Sequence, residues 1–309
     1  MTDFGTRRNR FTSFAVAAPK LSVETSIYSL AVFNNKLYAG TYPNGNLYQW
    51  NGIDAWVQVA PKLANETYIY SLAIFNNKLY GGTIPNGKLY EWNGIDAWVR
   101  VAPKLANETQ INALAIFNNK IYGGTYPNGK LYEWNGIDAW VQVAPKLAAE
   151  IHILSLAVFN NKLYGGTGPN GKLYEWNGID AWVQVAPKLS VETYIRSLAV
   201  FNNNLYAGTR PNGNLYQWNV IDAWVQVAPK LLAETQIDSL AVFNNKLYAG
   251  TRLNGNLYQW NGIDAWVQVA PKLANETYIY SLAVFNNKLY GGTGTGGNLY
   301  IFCSCTDIF

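Results

Sequence analysis

The residue types that most often bind metals or act as nucleophiles are scarce in this sequence of 309 residues. It contains one histidine, His152, and two cysteines, Cys303 and Cys305. A metal site needs three or four converging donors, and a C-x-C pair without partners does not supply them. No glycine-rich phosphate loop leads into a helix, and no G-x-S-x-G elbow presents a nucleophile. We therefore predict no enzyme, no cofactor and no metal site, and we expect His152 to be one surface variant among several.

Carboxylates, which could act as general acids or bases, occur almost entirely at repeating positions. Seven glutamates precede the segments related to S-L-A-V-F, and six aspartates lie in N-G-I-D turns and their one N-V-I-D variant. Recurrence of this kind favours hydrogen bonds in turns and at the starts of strands over catalysis. The glutamates are Glu24, Glu66, Glu108, Glu150, Glu192, Glu234 and Glu276, and the aspartates are Asp54, Asp96, Asp138, Asp180, Asp222 and Asp264.

The elements that carry these residues are near-identical repeats of 42 residues. The tryptophan of L-Y-x-W recurs six times at this interval, and Phe302 stands at the seventh position. The S-L-A-V-F segment occurs seven times if its variants S-L-A-I-F and A-L-A-I-F are included, whereas W-V-x-V-A-P-K-L occurs only six times. All 12 tryptophans are periodic, so we interpret them as packing between repeats, with a sugar-stacking platform as the alternative.

The missing copy of the last segment lies at the other end of the chain. Phe14 opens F-A-V-A-A-P-K-L, 42 residues before the first complete copy at Trp56. A linear array has no reason to divide one repeat between its ends, whereas a ring does, because the shared repeat pairs two exposed strand edges. The sequence therefore predicts an all-β, seven-bladed β-propeller whose N-terminal strand lies in the last blade.

Each repeat contains four short apolar segments separated by turn-forming residues. In the second repeat we predict strands at Ile69–Phe75, Lys78–Thr83, Lys88–Trp92 and Ala97–Val101. The Asn-Asn and Asn-Gly pairs between them suit hairpin turns with positive φ. As one propeller domain, the chain divides into blades at about 23–64, 65–106, 107–148, 149–190, 191–232, 233–274, and 275–309 completed by 11–22.

The order LAVFNNKLYAGT, LYQW, AWVQVAPKL resembles a kelch blade, which has an apolar first strand, a glycine pair closing the second, and Tyr then Trp before the fourth. Here Ala-Gly-Thr or Gly-Gly-Thr replaces the usual ending of the second strand. The repeat is shorter than the kelch repeat of about 50 residues. No Gly-His and Trp-Asp pair occurs, so the repeats are less similar to WD repeats. The near-identity of the blades also resembles recently amplified bacterial propellers. These resemblances imply a binding platform and name no partner.

Three positions differ between repeats far more than their neighbours do. The first lies just before the first strand, the second lies two residues further on, and the third follows the Gly-Thr of the second strand, so all three should encircle one face near the central channel. Variation confined to one face of a rigid scaffold is typical of a recognition surface, and the alternative is drift at exposed positions. From these positions we predict the binding residues Tyr28, Tyr70, Asn112, His152, Arg196, Asp238, Tyr280, Tyr42, Tyr126, Arg210 and Arg252.

Three functions remain open from the sequence. We favour a scaffold that binds a protein or peptide on the variable face; the alternatives are a multivalent lectin that binds glycans between blades, and a structural or self-assembling disc. A net charge of +4 argues against nucleic acid as a partner, and no apolar run is long enough to enter a membrane. Without a signal sequence near the first residue, we expect a cytoplasmic protein, and a monomer.

Overall fold

The computed structural model describes residues 13–63, 65–105, 107–270, 273 and 275–303. These residues form 28 β-strands and no helix, and the strands build seven antiparallel blades as predicted. The described residues accordingly include no helix that is long and apolar enough to cross a membrane. Arg7, Arg8 and Arg10, residues 11–12 of the predicted shared blade, and Cys305 lie outside the described residues.

Each blade is a meander of four strands, and neighbouring strands are consecutive in the chain except at β1. Blade 1 holds β2 (Ser26–Phe33), β3 (Lys36–Tyr42), β4 (Leu47–Trp50) and β5 (Trp56–Ala60); blade 2 holds β6 (Tyr68–Phe75), β7 (Lys78–Ile84), β8 (Leu89–Trp92) and β9 (Trp98–Ala102); blade 3 holds β10 (Gln110–Phe117), β11 (Lys120–Tyr126), β12 (Leu131–Trp134) and β13 (Trp140–Ala144); blade 4 holds β14 (His152–Phe159), β15 (Lys162–Gly168), β16 (Leu173–Trp176) and β17 (Trp182–Ala186); blade 5 holds β18 (Tyr194–Phe201), β19 (Asn204–Arg210), β20 (Leu215–Trp218) and β21 (Trp224–Ala228); blade 6 holds β22 (Gln236–Phe243), β23 (Lys246–Arg252), β24 (Leu257–Trp260) and β25 (Trp266–Ala270); blade 7 holds β26 (Tyr278–Phe285), β27 (Lys288–Gly294), β28 (Leu299–Cys303) and β1 (Ser13–Ala18).

The first two strands of a blade are longer than the sequence predicts. In blade 2, β6 begins at Tyr68 and β7 ends at Ile84, because these two residues pair across the hairpin. The predicted strand bounds, and the placement of the first variable position before the strand, are therefore wrong by one residue. The turn between these strands uses Asn76 and Asn77 at φ of 46° and 55°, the positive values that a two-residue hairpin requires.

Neighbouring blades pack against each other through aromatic rings, and a glycine in each second strand allows the next blade to approach closely. The ring of Trp92 lies 5.1 Å from that of Tyr38 in the preceding blade and is buried there, so this tryptophan position serves packing between blades as predicted. A Cβ on Gly82 would lie 2.6 Å from Oγ of Ser71 and 2.7 Å from Cγ2 of Ile111 in the next blade, so a larger residue would force these neighbours to shift. The Gly-Thr that ends each second strand therefore sets how closely the blades approach.

The ring closes through the predicted shared blade. β1 pairs antiparallel with β28, with Phe14 opposite Phe302 and Val16 opposite Tyr300. The side chains of Phe14 and Leu21 are buried in the adjoining cores. Phe302 takes the place of the repeated tryptophan. The N-terminal strand therefore covers an edge that would otherwise face water.

Candidate functional site

One side chain from each blade lines the mouth of the central channel. These residues share one position, the third of the first strand, and they enclose a cavity of about 130 Å³. They are Tyr28, Tyr70, Asn112, Leu154, Arg196, Asp238 and Tyr280. The structure thus brings together six of the eleven predicted binding residues and adds Leu154, which stands at the same variable position.

The other two variable positions lie beside this ring, because they pair with each other across the first hairpin of each blade. Ser26 is opposite Tyr42, and Gln236 is opposite Arg252. Since each blade is a meander, the start of its first strand and the end of its second strand reach the same face. We call this surface the variable face; it comprises the three variable positions of all seven blades.

At the next two positions of the first strands the blades are nearly identical. A second space of about 260 Å³ is lined largely by the Ser-Leu pairs of the first strands, with Ala113 as the one departure from serine among them. Hydroxyls in this layer bridge neighbouring blades, as when Ser29 Oγ donates to the carbonyl of Ile69 at 3.1 Å. The sequence differences between blades within the channel are therefore concentrated at the third position of the first strand.

Three charged side chains meet at the mouth on one side of the ring. Arg196 donates to Asp238 Oδ1 from Nε at 3.3 Å and from Nη2 at 3.1 Å. Arg252 donates from Nε to Oδ2 of the same carboxylate at 3.1 Å. Gln236 also donates to Oδ1 from its amide. Burial opposes the charge on Arg196, but Tyr70 and Asp238 outweigh it and raise the pKa of Arg196 above its usual range.

Gln236, which is fully buried, was absent from the predicted binding residues. It stands at the first variable position of its blade, so the variability that identified its neighbours also marked it. Its contact with Asp238, two residues away on the same strand, is visible only in the structure. Arg210 lies apart from this cluster: it is exposed, with its guanidinium 5.3 Å from the ring centre of Tyr194.

Tyrosines occupy the other side of the mouth. Tyr28 stacks on Tyr280 with 4.3 Å between ring centres, and Tyr70 lies 5.2 Å away from Tyr28. Tyr42 stacks on Tyr68 at 4.1 Å. Burial raises the pKa of Tyr28 far above its ordinary value, so its phenol stays neutral and can donate a hydrogen bond.

His152 is half-buried, which corrects the expectation of a simple surface variant. Its imidazole stacks on Tyr126 with 4.2 Å between ring centres, and its Nδ1 has no hydrogen-bond partner among the described residues. Burial, with a smaller effect of Arg196, lowers the pKa of His152 to about 4. Asn112 in the neighbouring blade is buried and donates to the carbonyl of Ile153 at 3.2 Å.

Buried glutamates hold the loops that carry the variable positions. Glu24 accepts from the backbone N–H of Asn44 at 3.1 Å and from the side chain of Asn46 at 2.6 Å. Burial raises the pKa of Glu24, while these hydrogen bonds and Thr41 oppose the rise. The recurring glutamates therefore have the structural role predicted for them.

Within the described part of the chain, no three residues among histidine, cysteine, aspartate and glutamate lie close enough to share a metal ion. The cluster of two arginines and one aspartate contains no nucleophile with its own base. What this arrangement offers is binding chemistry: guanidinium donors, phenol hydroxyls and flat aromatic rings at one opening.

Grooves between blades open on the opposite face. One groove of about 300 Å³ lies between Asn34 and Tyr38 of blade 1 and Trp92 of blade 2, and a second of about 480 Å³ lies between blades 2 and 3. Trp92 and Trp134 contribute little surface to them, because each is at most 7% exposed.

The fold and the site together define a seven-bladed β-propeller in which the blades differ mainly on the variable face. No protein-family model matches the chain, and neither does any curated protein sequence. Solved structures share the fold. The WD40 β-propeller domain of Doa1 superposes with a TM-score of 0.70 at 13% identity, over 95% of this chain and 97% of that one.

YCF48 from Cyanidioschyzon merolae superposes with a TM-score of 0.68 at 14% identity, over 94% of this chain and 98% of that one. The extracellular domain of the one component system BT4673 from B. thetaiotaomicron gives 0.72 at 17% identity, and the match covers 94% of this chain but only 39% of that one. At such identities the likeness shows the fold alone. The resemblance to kelch repeats stays a prediction.

Proposed function

We propose that this chain is a non-enzymatic recognition scaffold that binds a protein or peptide on the variable face, at the mouth of the central channel. The observation that carries the proposal is that the positions that differ most between blades lie on one face, and that one of them lines a single cavity with a different side chain from most blades. The rest of each blade is nearly uniform and rigidly packed. Individual side chains on a rigid frame are the usual basis of selective binding.

The residue types on the face support a protein or peptide partner. Tyrosine and arginine are enriched among the residues that dominate interface energies, since they combine large contact areas with hydrogen bonding. Here Arg252 lies 4.6 Å from the ring centre of Tyr278, so its guanidinium is held in place before any partner arrives. A side chain that is already ordered loses less entropy on binding.

Selection of peptides from a random phage-displayed library tests the proposal. Enriched peptides are titrated by calorimetry into the protein and into a variant with Tyr70, Arg196, Asp238 and Arg252 all replaced by alanine. Replacing both arginines together with the aspartate leaves none of the three charges unpaired. We expect one site per chain and a loss of affinity of at least about a hundredfold in the variant.

The chain itself supplies a matched control on the opposite face. Glu91, Glu133 and Glu175 stand where other blades carry glutamine, so their replacement by glutamine copies a residue the fold already accepts. Peptide affinity should be unchanged in this triple variant. Equal binding to the protein and to the folded quadruple variant contradicts the proposal.

The inter-blade grooves favour carbohydrate binding as a second candidate. They recur between blades and carry Asn, Lys, Glu and aromatic side chains, as at Lys78 and Glu91. The buried tryptophan rings leave hydrogen bonding rather than ring stacking as the main contact. A glycan array followed by titration distinguishes the two candidates, because a lectin of this kind gives several equivalent weak sites and the variable face gives one.

The third alternative, a self-assembling disc, is tested by mass measurement in solution across a range of concentrations. We expect a monomer at every concentration. A mass that rises with concentration supports assembly and counts against the monomer.

A further inference from the structure

We infer that the cluster of Arg196, Asp238 and Arg252 is a receptor for a carboxylate group, which the bound peptide supplies from an acidic side chain or from its C-terminus. This inference rests on the proposed function and specifies the chemistry that the partner must bring to the channel mouth.

The first argument is the charge at the cluster. Two guanidinium groups share the one carboxylate of Asp238, and among the described residues neither arginine lies within 4 Å of another carboxylate. The neighbouring groups are neutral: Gln236 is an amide, and His152, with its low pKa, is uncharged at pH 7. One positive charge is therefore left without a counter-charge in a partly buried site, which an anion would balance.

The second argument is the direction of the hydrogen-bond donors. Both arginines contact Asp238 through Nε and Nη2. The hydrogen bonds to Asp238 therefore use Nη1 of neither residue, and the Tyr70 hydroxyl is a further hydrogen-bond partner of Arg196. A guanidinium has five N–H donors in a planar fork, and carboxylates match that fork closely.

The third argument is access. The Asp238 side chain is only 1% exposed, whereas those of Arg196 and Arg252 are 17% and 28% exposed. The carboxylate is thus sealed beneath the two cations, and the cations face the opening. The cavity of about 130 Å³ beside them has room for a carboxylate with its attached carbon atoms, equivalent to the volume of about four water molecules.

The walls of the cavity suit a carboxylate on an organic group. Tyr70 and Tyr280 present phenol groups beside the arginines, and the ring centre of Tyr280 lies 5.3 Å from the guanidinium of Arg252. Phenol hydroxyls can donate to the anion while the rings cover its apolar part. Further out, Arg210 adds positive charge at the rim, which attracts an acidic peptide before contact.

Side-chain NMR with small probes tests the inference on the intact protein. The chain has seven arginines, so its Nε–H region should contain few signals, and Arg→Lys variants assign those of Arg196 and Arg252. The probes are N-acetylglutamate amide, its neutral analogue N-acetylglutamine amide, N-acetylglycine and inorganic phosphate. We expect a carboxylate probe to shift both signals saturably with a Kd of about 1 mM, and the neutral analogue to leave them in place.

Two variants separate the site from the rest of the surface. Arg252→Gln keeps the pair between Arg196 and Asp238 but removes the excess charge, and should raise the Kd about tenfold or more. Arg100→Gln, on an outer strand, removes the same charge elsewhere and should leave the Kd unchanged. Retention of the unfolding midpoint by both variants shows that they are folded.

Each outcome decides the matter. Saturable binding of N-acetylglutamate amide indicates an acidic side chain as the source, and binding of N-acetylglycine alone indicates a C-terminus; either supports the inference. The inference is overturned if neither carboxylate shifts the two signals, if the neutral analogue shifts them equally, or if phosphate binds more tightly than both carboxylates.

The peptide selection shows which idea has failed. If enriched peptides depend on the variable face but carry no acidic group and the carboxylate probes do not bind, the receptor is wrong and the recognition scaffold stands. If the probes bind at the two arginines while no selected peptide depends on the variable face, the anion site stands and the proposed function is wrong.

Discussion

Deleting residues 1–22 tests the closure of the ring, because it removes β1 and the segment that follows it. β28 then loses its only partner on one side, so the backbone groups that face Ser13–Ala18 turn to solvent. The deletion also uncovers Tyr300 and Phe302, which β1 shields from water. Blade 7 would be left with three strands and one open edge.

The expected loss follows from the side chains that β1 and its extension bury. Phe14 is 9% and Leu21 is 4% exposed, and Ala18 is completely buried. Burial of a large apolar side chain contributes about 1.5 to 3 kcal/mol, and the uncovered partners add to this. We expect the free energy of unfolding to fall by about 5 to 8 kcal/mol, which approaches the whole stability of many domains.

Urea unfolding followed by far-ultraviolet circular dichroism and tryptophan fluorescence measures this loss. A circular permutant is the matched control: it begins at Val23 and joins residues 14–22 after Phe302 through the Asn-Gly-Ile-Asp-Ala turn of the other blades. The permutant should unfold within about 1 kcal/mol of the parent, because it keeps the same buried strand. A deletion variant with the midpoint of the parent would show that β1 does not close the ring.

Three further predictions concern single positions, each measured by equilibrium unfolding. Between pH 7.5 and 5.0 the protein should lose up to about 2 kcal/mol more stability than its His152→Gln variant, because the pKa of His152 is lowered to about 4 and only the unfolded chain takes up a proton in this window. Gly82→Ala should cost about 1 to 3 kcal/mol, because its Cβ would lie 2.7 Å from Ile111 Cγ2. Asn93→Ala should cost about 1 to 2 kcal/mol, because Asn93 Oδ1 accepts three backbone N–H groups of its turn at 2.9 to 3.0 Å.

Each of these predictions has a control within the repeats. Glutamine already stands at the position of His152 in blades 3 and 6, and an equal pH dependence in both proteins would contradict the lowered pKa. Gly81→Ala copies Ala39 and should be nearly neutral, so equal costs at Gly81 and Gly82 would contradict the contact with the next blade. Asn93→Asp keeps the acceptor, and a loss as large as in Asn93→Ala would show that the acceptor is not what stabilises the turn.

The extent of each strand could be predicted from the sequence only approximately. Turn residues mark where a hairpin reverses, but pairing with the opposite strand decides where a strand ends. Thus Tyr68 and Ile84 belong to strands because they face each other across a hairpin. For the same reason the variable positions lie in strands rather than in free loops, and the side chains at the third position of the first strand line one shared cavity.

The candidate site shows a similar division. The convergence of Arg196 and Asp238 could be anticipated, because both stand at the third position of the first strand in adjacent blades. Arg252 joins them from a different variable position, and its place above Asp238 depends on side-chain rotamers and on the rings of Tyr278 and Tyr280. The burial of His152 could not be predicted from the sequence either, since it depends on which side chain the neighbouring blade presents.

By itself the sequence determined the architecture of this protein. The 42-residue period, with one copy divided between the two ends, predicts both the number of blades and the closure of the ring. The physical reason is that repeated apolar strands can bury their faces only against copies of themselves. The tertiary structure alone decided how the individual residues combine. Two cations over one carboxylate, beside stacked tyrosines, arise from residues far apart in the chain, since the ring brings equivalent positions of different blades to a single opening.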